Sequence, residues 1–131
     1  MPQVVTALVE DGDKIFIAQR SKEDELPLMW EFPGEKVRPG EPSDEAIKRE
    51  YKEELNLDIE VTGLYSKGVY AFMKWEVEVI MYRAKIVGGE LTLNEHNDYT
   101  WVTRKELRDY EIIPPYKHFY DQLVAEGEKE A

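Results

Sequence analysis

Between Gly34 and Leu57 the chain reads GEKVRPGEPSDEAIKREYKEELNL, a turn-rich loop that runs into a helix with three different sides. Pro33, Gly34, Pro39 and Gly40 cut the loop into two short extended pieces, so regular helix cannot begin before Ser43. From there Ile47, Tyr51 and Leu55 recur as an apolar stripe, while Lys48 and Lys52 fall on the far side. At about 100° per residue, Glu50, Glu53 and Glu54 project from one edge beside the stripe. One flank docks in a core, another faces water, and an acidic ridge lies between them. Ser43 is a suitable N-cap, with Asp44 and Glu45 where the helix dipole favours negative charge.

Carboxylates held that close repel one another unless something neutralises them, and hard divalent cations with a preference for oxygen do so. A magnesium-phosphate site is the chemistry such a ridge suits. The same residues also have a plainer use. Charged residues make up 34% of the chain, and pairs four apart, such as Glu45 with Arg49 and Arg49 with Glu53, commonly stitch a solvated helix. The segment REYKEEL by itself favours the plainer use, and the loop in front of it shifts the balance toward a site.

Loop and helix together resemble the box of the Nudix hydrolases: G, five residues, E, seven residues, REU, one residue, EE, one residue, GU, with U aliphatic. Glu41, Arg49, Glu50, Glu53, Glu54 and Leu57 all fall in register. Three positions depart from the pattern. Glu35 stands where the first glycine belongs, Tyr51 where an aliphatic residue is usual, and Asn56 where the second glycine sits. Asparagine tolerates the left-handed conformation of a helix C-cap and Tyr51 can still bury its ring. Glu35 gives up glycine's backbone freedom and sets another acid beside the expected cation.

KIFIAQR (14–20), WEFPG (30–34) and EHNDYTWV (95–102) extend the resemblance over most of the chain, which is similar to MutT-type nucleoside triphosphate pyrophosphohydrolases, including relatives acting on cytidine nucleotides. The resemblance implies an α/β fold, an α/β/α sandwich around a mixed β-sheet with the box as a loop-helix-loop. It also implies Mg²⁺, with Mn²⁺ as a substitute, held by Glu50, Glu53, Glu54 and the carbonyl of Gly34. Arg49 would orient a neighbouring glutamate and Glu41 would support the loop. The general base lies among Glu53, Glu54 and Glu95.

For the substrate, the resemblance places Arg20 near the phosphates or base, Lys36 as a phosphate contact from the loop, and Phe32 either as a wall of a base pocket or as core. Relatives that read a base edge present Asn or Asp after a Pro-Ala pair; here Pro114-Pro115 is followed by Tyr116, which speaks against oxidised guanine and leaves stacking or the hydroxyl. His96 reads as a solvent-facing loop residue, and Phe72, Trp75 and Trp101 read as strand packing. The expected reaction is cleavage of a nucleoside triphosphate to the monophosphate and pyrophosphate. Alternatives are hydrolysis of another nucleoside diphosphate-linked compound such as a nucleotide sugar, or, given Glu35, a nucleotide-binding sensor with weakened chemistry.

Composition narrows the classes. With 131 residues and 42% hydrophobic content the chain suits one core, hence one domain over 1–131 with a frayed acidic tail at 126–131. It has no cysteine, which excludes thiolate metal sites, and its two histidines are far apart, which argues against zinc. A net charge of -11 opposes binding to polymeric nucleic acid but not to a small nucleotide that arrives with its cation. No segment approaches the roughly 20 apolar residues needed to span a bilayer, and no basic stretch precedes an apolar run at the N-terminus. A cytoplasmic protein is expected, as monomer or homodimer.

Residues 3–9 and 14–20 predict strands joined by a hairpin turn through Glu10-Asp11-Gly12-Asp13. Residues 57–72, with Gly63 and Gly68, predict a bent or bulged strand, and 75–87 a second one, with Gly88-Gly89 turning into a short strand LTL at 91–93. Thr103 to Glu106 form a capping box, and Pro114-Pro115 precede a last amphipathic helix.

Overall fold

Seven strands and two α-helices build the chain in its computed structural model, which describes residues 1–129, with Phe72 described by its backbone only. The first hairpin is present as β1 (Gln3–Asp11) and β2 (Lys14–Gln19), and Gly12 at its turn takes φ 62°. β1 pairs in parallel with β6 (Trp75–Gly89), Val5 lying opposite Ile80. Its other edge is divided. Val4 to Thr6 pair antiparallel with β4 (Gly34–Lys36), and Glu10 and Asp11 pair with β2. β2 then carries β3 (Trp30–Glu31) and β7 (Asp98–Thr103). β5 (Leu57–Phe72) runs antiparallel to β6 with three register shifts, including those flanking Gly63 and Ser66.

The period of two along β1 sorts its side chains between two cores. Val5, Ala7 and Val9 pack with Ala46, Ile47, Tyr51 and Leu55 of α1 (Ser43–Leu55). Leu8 points the other way and joins Ile15 and Ile17 under Phe119 and Leu123 of α2 (Lys117–Lys129). A mixed sheet with one helix on each face is the α/β sandwich expected from the sequence. Ile47, Tyr51 and Leu55 are all fully buried, so the apolar stripe is the docking face of α1.

Local signals fared unevenly. Asn56 closes α1 in the left-handed conformation at φ 56°. Thr103 and Glu106 exchange the two bonds of a capping box, the Thr103 N–H donating to Glu106 Oε1 at 2.9 Å and the Glu106 N–H to Thr103 Oγ1 at 3.2 Å. The N-cap of α1, however, is Pro42, because the Ser43 hydroxyl is turned toward that of Tyr82. LTL is not a strand: the N–H groups of Thr92 and Asn94 donate to the Leu55 and Glu54 carbonyls, using the free end of α1 instead of a sheet edge. The acidic tail is helical as far as Lys129, and residues 130 and 131 lie outside the described ones. Trp75, expected to pack, is 73% exposed at the tip of the β5–β6 hairpin. Among the described residues no helix is long and apolar enough to cross a membrane.

Candidate active site

The loop in front of α1 is fixed from the sheet. Thr6, fully buried, shares its hydroxyl proton between the carbonyls of Phe32 (2.7 Å) and Pro33 (3.0 Å), which anchors the turn into Gly34. A Cβ on Gly34 would stand 2.3 Å from the Val5 carbonyl oxygen and 2.8 Å from the Tyr116 hydroxyl, so only glycine fits there.

On α1, Glu54 lies about 40° to one side of Glu50 and Glu53 about 60° to the other, on the side where Arg49 sits. That difference divides the ridge. Arg49 grips Glu41 through Nε (2.8 Å) and Nη2 (3.1 Å), takes Glu53 at 3.3 Å and reaches Glu50 at 3.8 Å. The Glu53 carboxylate is 53% exposed, whereas Glu50 and Glu54 are buried. The acids that converge are Glu35, Glu50 and Glu54, each offering an oxygen within 4.8 Å of the others. Glu53, expected with them, stands outside this group.

Glu50 Oε1 and Glu54 Oε2 are buried with no hydrogen-bond partner among the described residues. Such atoms cost several kcal/mol unless something completes them. The donors are all oxygens, which matches Mg²⁺ or Mn²⁺ and not a thiolate- or imidazole-seeking metal. The residues present therefore fit a divalent cation, which Glu50 and Glu54 would hold at a cleft that Gly34 also lines.

Burial raises the Glu54 carboxyl to about 11, with the neighbouring Glu50 and Glu95 carboxylates adding to the rise, and burial raises Glu50 as well. Without a cation the pair holds a proton between them. A carboxyl whose folded value is raised stabilises the protein fully below its unfolded value near 4.5 and loses that contribution as pH climbs toward the folded one. In EDTA, Glu54→Gln should therefore exceed wild type in Tm by more at pH 9 than at pH 5, and Mg²⁺ should remove the difference. A constant gap across that range would count against this assignment.

Across the cleft, Glu31 accepts from Arg20 Nη1 at 2.7 Å and pairs with His96 Nε2 at 2.8 Å. Arg20 Nε also donates to the Glu25 carbonyl at 2.8 Å. The His96 side chain is only 5% exposed, not a solvent-facing loop residue, and its Nδ1 is buried without a partner among the described residues. Sequence reading assigned a site role to neither member of this pair. Glu31 sits between Trp30 and Phe32 in a strand-like run, and His96 lies 65 residues away, so only the fold joins them. Glu95, exposed, lies against Glu54. Asn94 secures its loop by bonding the Glu53 and Glu54 carbonyls. Arg20, Glu31, Gly34, Glu35, Glu54 and Glu95 line one polar cleft of about 240 Å³.

The remaining expected residues lie apart from the carboxylates. Phe32 is fully buried in the α2-side core, 6.4 Å between ring centroids from Tyr116. Lys36 is exposed and outside the cleft lining, since it follows Glu35 in β4 and faces the opposite way. Tyr116 is buried, its hydroxyl near Gly34 and its ring on the wall of a second, apolar cleft of about 330 Å³ with Trp75, Val77 and Pro115.

Comparison with known proteins gives this geometry a context. A family model for the NUDIX domain matches residues 1–123. A Mycobacterium tuberculosis protein with the provisional name 8-oxo-dGTP diphosphatase 2 is 33% identical over 112 residues, 85% of this chain and 79% of that one. The CTP pyrophosphohydrolase of Escherichia coli is 29% identical over 114 residues, 87% of this chain and 84% of its own length. The solution structure of the E. coli ORF135 protein superposes with a TM-score of 0.83 at 27% identity, over 100% of this chain and 91% of that one.

Proposed function

The chain belongs to the NUDIX family of hydrolases acting on phosphoanhydride bonds, and from that premise we propose that it cleaves a nucleoside triphosphate to the monophosphate and pyrophosphate with a divalent cation. The observation that carries the reading is the pair of buried carboxylate oxygens on Glu50 and Glu54, unpartnered among the described residues, beside a polar cleft that Glu54 lines with Arg20 and Glu95.

Glu50 and Glu54 would hold the cation, which when bound would screen the phosphate oxygens and polarise phosphorus toward water. The chain's own residues do the rest. Arg49 and Glu41 hold the loop against α1 so that the carboxylates keep their spacing. Glu95, exposed at the cleft beside Glu54, takes the proton from water as its oxygen bonds phosphorus and the bond to the pyrophosphate oxygen breaks. Arg20, fixed by Glu31 and the Glu25 carbonyl, meets the phosphate charge. The nucleoside lies in the apolar cleft, where the exposed Trp75 offers a face to a base and no lining residue carries an amide or carboxylate to read its edge. Discrimination among bases should accordingly be modest.

Incubation with a panel of ordinary and oxidised nucleoside triphosphates, with Mg²⁺ or with EDTA, tests this. Release of monophosphate and pyrophosphate in Mg²⁺ and loss of at least 10²-fold of the rate in EDTA are expected, on the order of what a catalytic metal contributes. Turnover of nucleotide sugars alone would replace the triphosphate reading, and no turnover of any compound at high enzyme concentration would reject it.

A further inference from the structure

We propose that Glu35 completes, with Glu50 and Glu54, a cation site made of protein oxygens alone, so that a divalent cation is held before any nucleotide arrives. The inference rests on the cation-dependent reading above and goes beyond it, because Glu35 occupies a position where the family box has glycine.

The backbone permits the substitution. Glu35 lies in β4 opposite Val5 and is not among the residues with positive φ, so the freedom of glycine is not needed there. Its side chain is held in place, the Lys36 N–H donating to Glu35 Oε1 at 2.9 Å. Among the described residues no Lys, Arg or His pairs with it. It lines the polar cleft with Glu54 and is one of the three acids whose oxygens lie within 4.8 Å of one another.

A second observation independent of that clustering points to a ligand. Glu50 and Glu54, 2% and 8% exposed, each keep a buried carboxylate oxygen, Oε1 and Oε2, with no hydrogen-bond partner among the described residues. Two oxygens bound to one Mg²⁺ stand at most about 4.2 Å apart, so only a small closure of the three acids is required. With one or two carboxylates, Mg²⁺ is normally shared with substrate phosphates; a third carboxylate moves the site toward retention by the protein itself. A metal-free chain pays for this in repulsion, which the cation then relieves.

Binding of Mn²⁺ alone to EDTA-stripped protein, followed by the electron paramagnetic resonance of free Mn²⁺ and by calorimetry, tests the proposal without nucleotide. Wild type should bind, and Glu35→Gln should bind at least tenfold more weakly while gaining Tm in the absence of metal. Glu45→Gln removes the same charge from the exposed, Lys48-facing side of α1 and should stay within twofold of wild type. Glu35→Gln within twofold of wild type would overturn the proposal, as would an equal weakening by Glu45→Gln, which would reduce the effect to net charge. Failure of wild type to bind Mn²⁺ without nucleotide would overturn it as well. If Mg²⁺-dependent hydrolysis persists in that case, the proposed function survives and this inference alone falls.

Discussion

Glu54→Gln is expected to lower kcat by about 10³-fold while leaving the protein folded and, in EDTA, more stable than wild type. The figure follows from losing one carboxylate of the proposed cation site, whose metal would supply most of the electrostatic stabilisation of transferring phosphoryl charge. Glutamine keeps the shape of the buried side chain and removes the charge that burial disfavours. Glu53→Gln provides the contrast. Its carboxylate is half exposed and engaged by Arg49, so the loss should be about tenfold, acting through the position of Arg49 and not through the cation. Steady-state kinetics with Mg²⁺ titrated at each pH would measure both. Equal losses in the two variants would remove the distinction drawn between the buried and exposed halves of the ridge.

Gly34→Ala should be among the most damaging small substitutions in the chain. The added methyl would meet the Val5 carbonyl oxygen at 2.3 Å, and that atom belongs to a strand buried on both sides, so it cannot give way as a flexible side chain would. Either the pairing of β4 with β1 breaks or the loop is pushed out of place. A destabilisation of about 3 kcal/mol or more, roughly 10 °C in Tm, is expected for overpacking against fixed backbone. Activity should fall further than stability explains, because the Gly34 carbonyl and Glu35 move together with that loop. Thermal melts and kinetics below the melting range separate the two effects. A variant with wild-type Tm would show that the contact is not tight.

Much of the scaffold was legible in the residues. The spacing of Ile47, Tyr51 and Leu55 fixes which face of α1 is buried, Asn56 marks its end, and Gly12 marks the first turn, because each rests on local backbone preference or a single period. What escaped depends on distant parts of the chain meeting. A helical wheel groups Glu53 with Glu50 and Glu54, but it carries no information about Arg49 being anchored by Glu41, which draws Glu53 outward. Glu35 reads as an anomaly of the box until β4 is hung beside the helix and its carboxylate meets theirs. His96 looked exposed because nothing nearby in sequence buries it; Glu31, delivered by β3, does so. LTL has the composition of a strand, yet the nearest free hydrogen-bonding groups are the last carbonyls of α1.

The divided edge of β1 has a mechanical consequence. Its opening residues carry the acid-bearing loop and its closing residues carry the hairpin that leads to Arg20 and Glu31, so both walls of the polar cleft are hung from one strand like two shelves from a single upright. A slip of that strand by one residue against β6 would misalign the walls together and turn its side chains to the wrong helices, making a half-assembled cleft an improbable folding product.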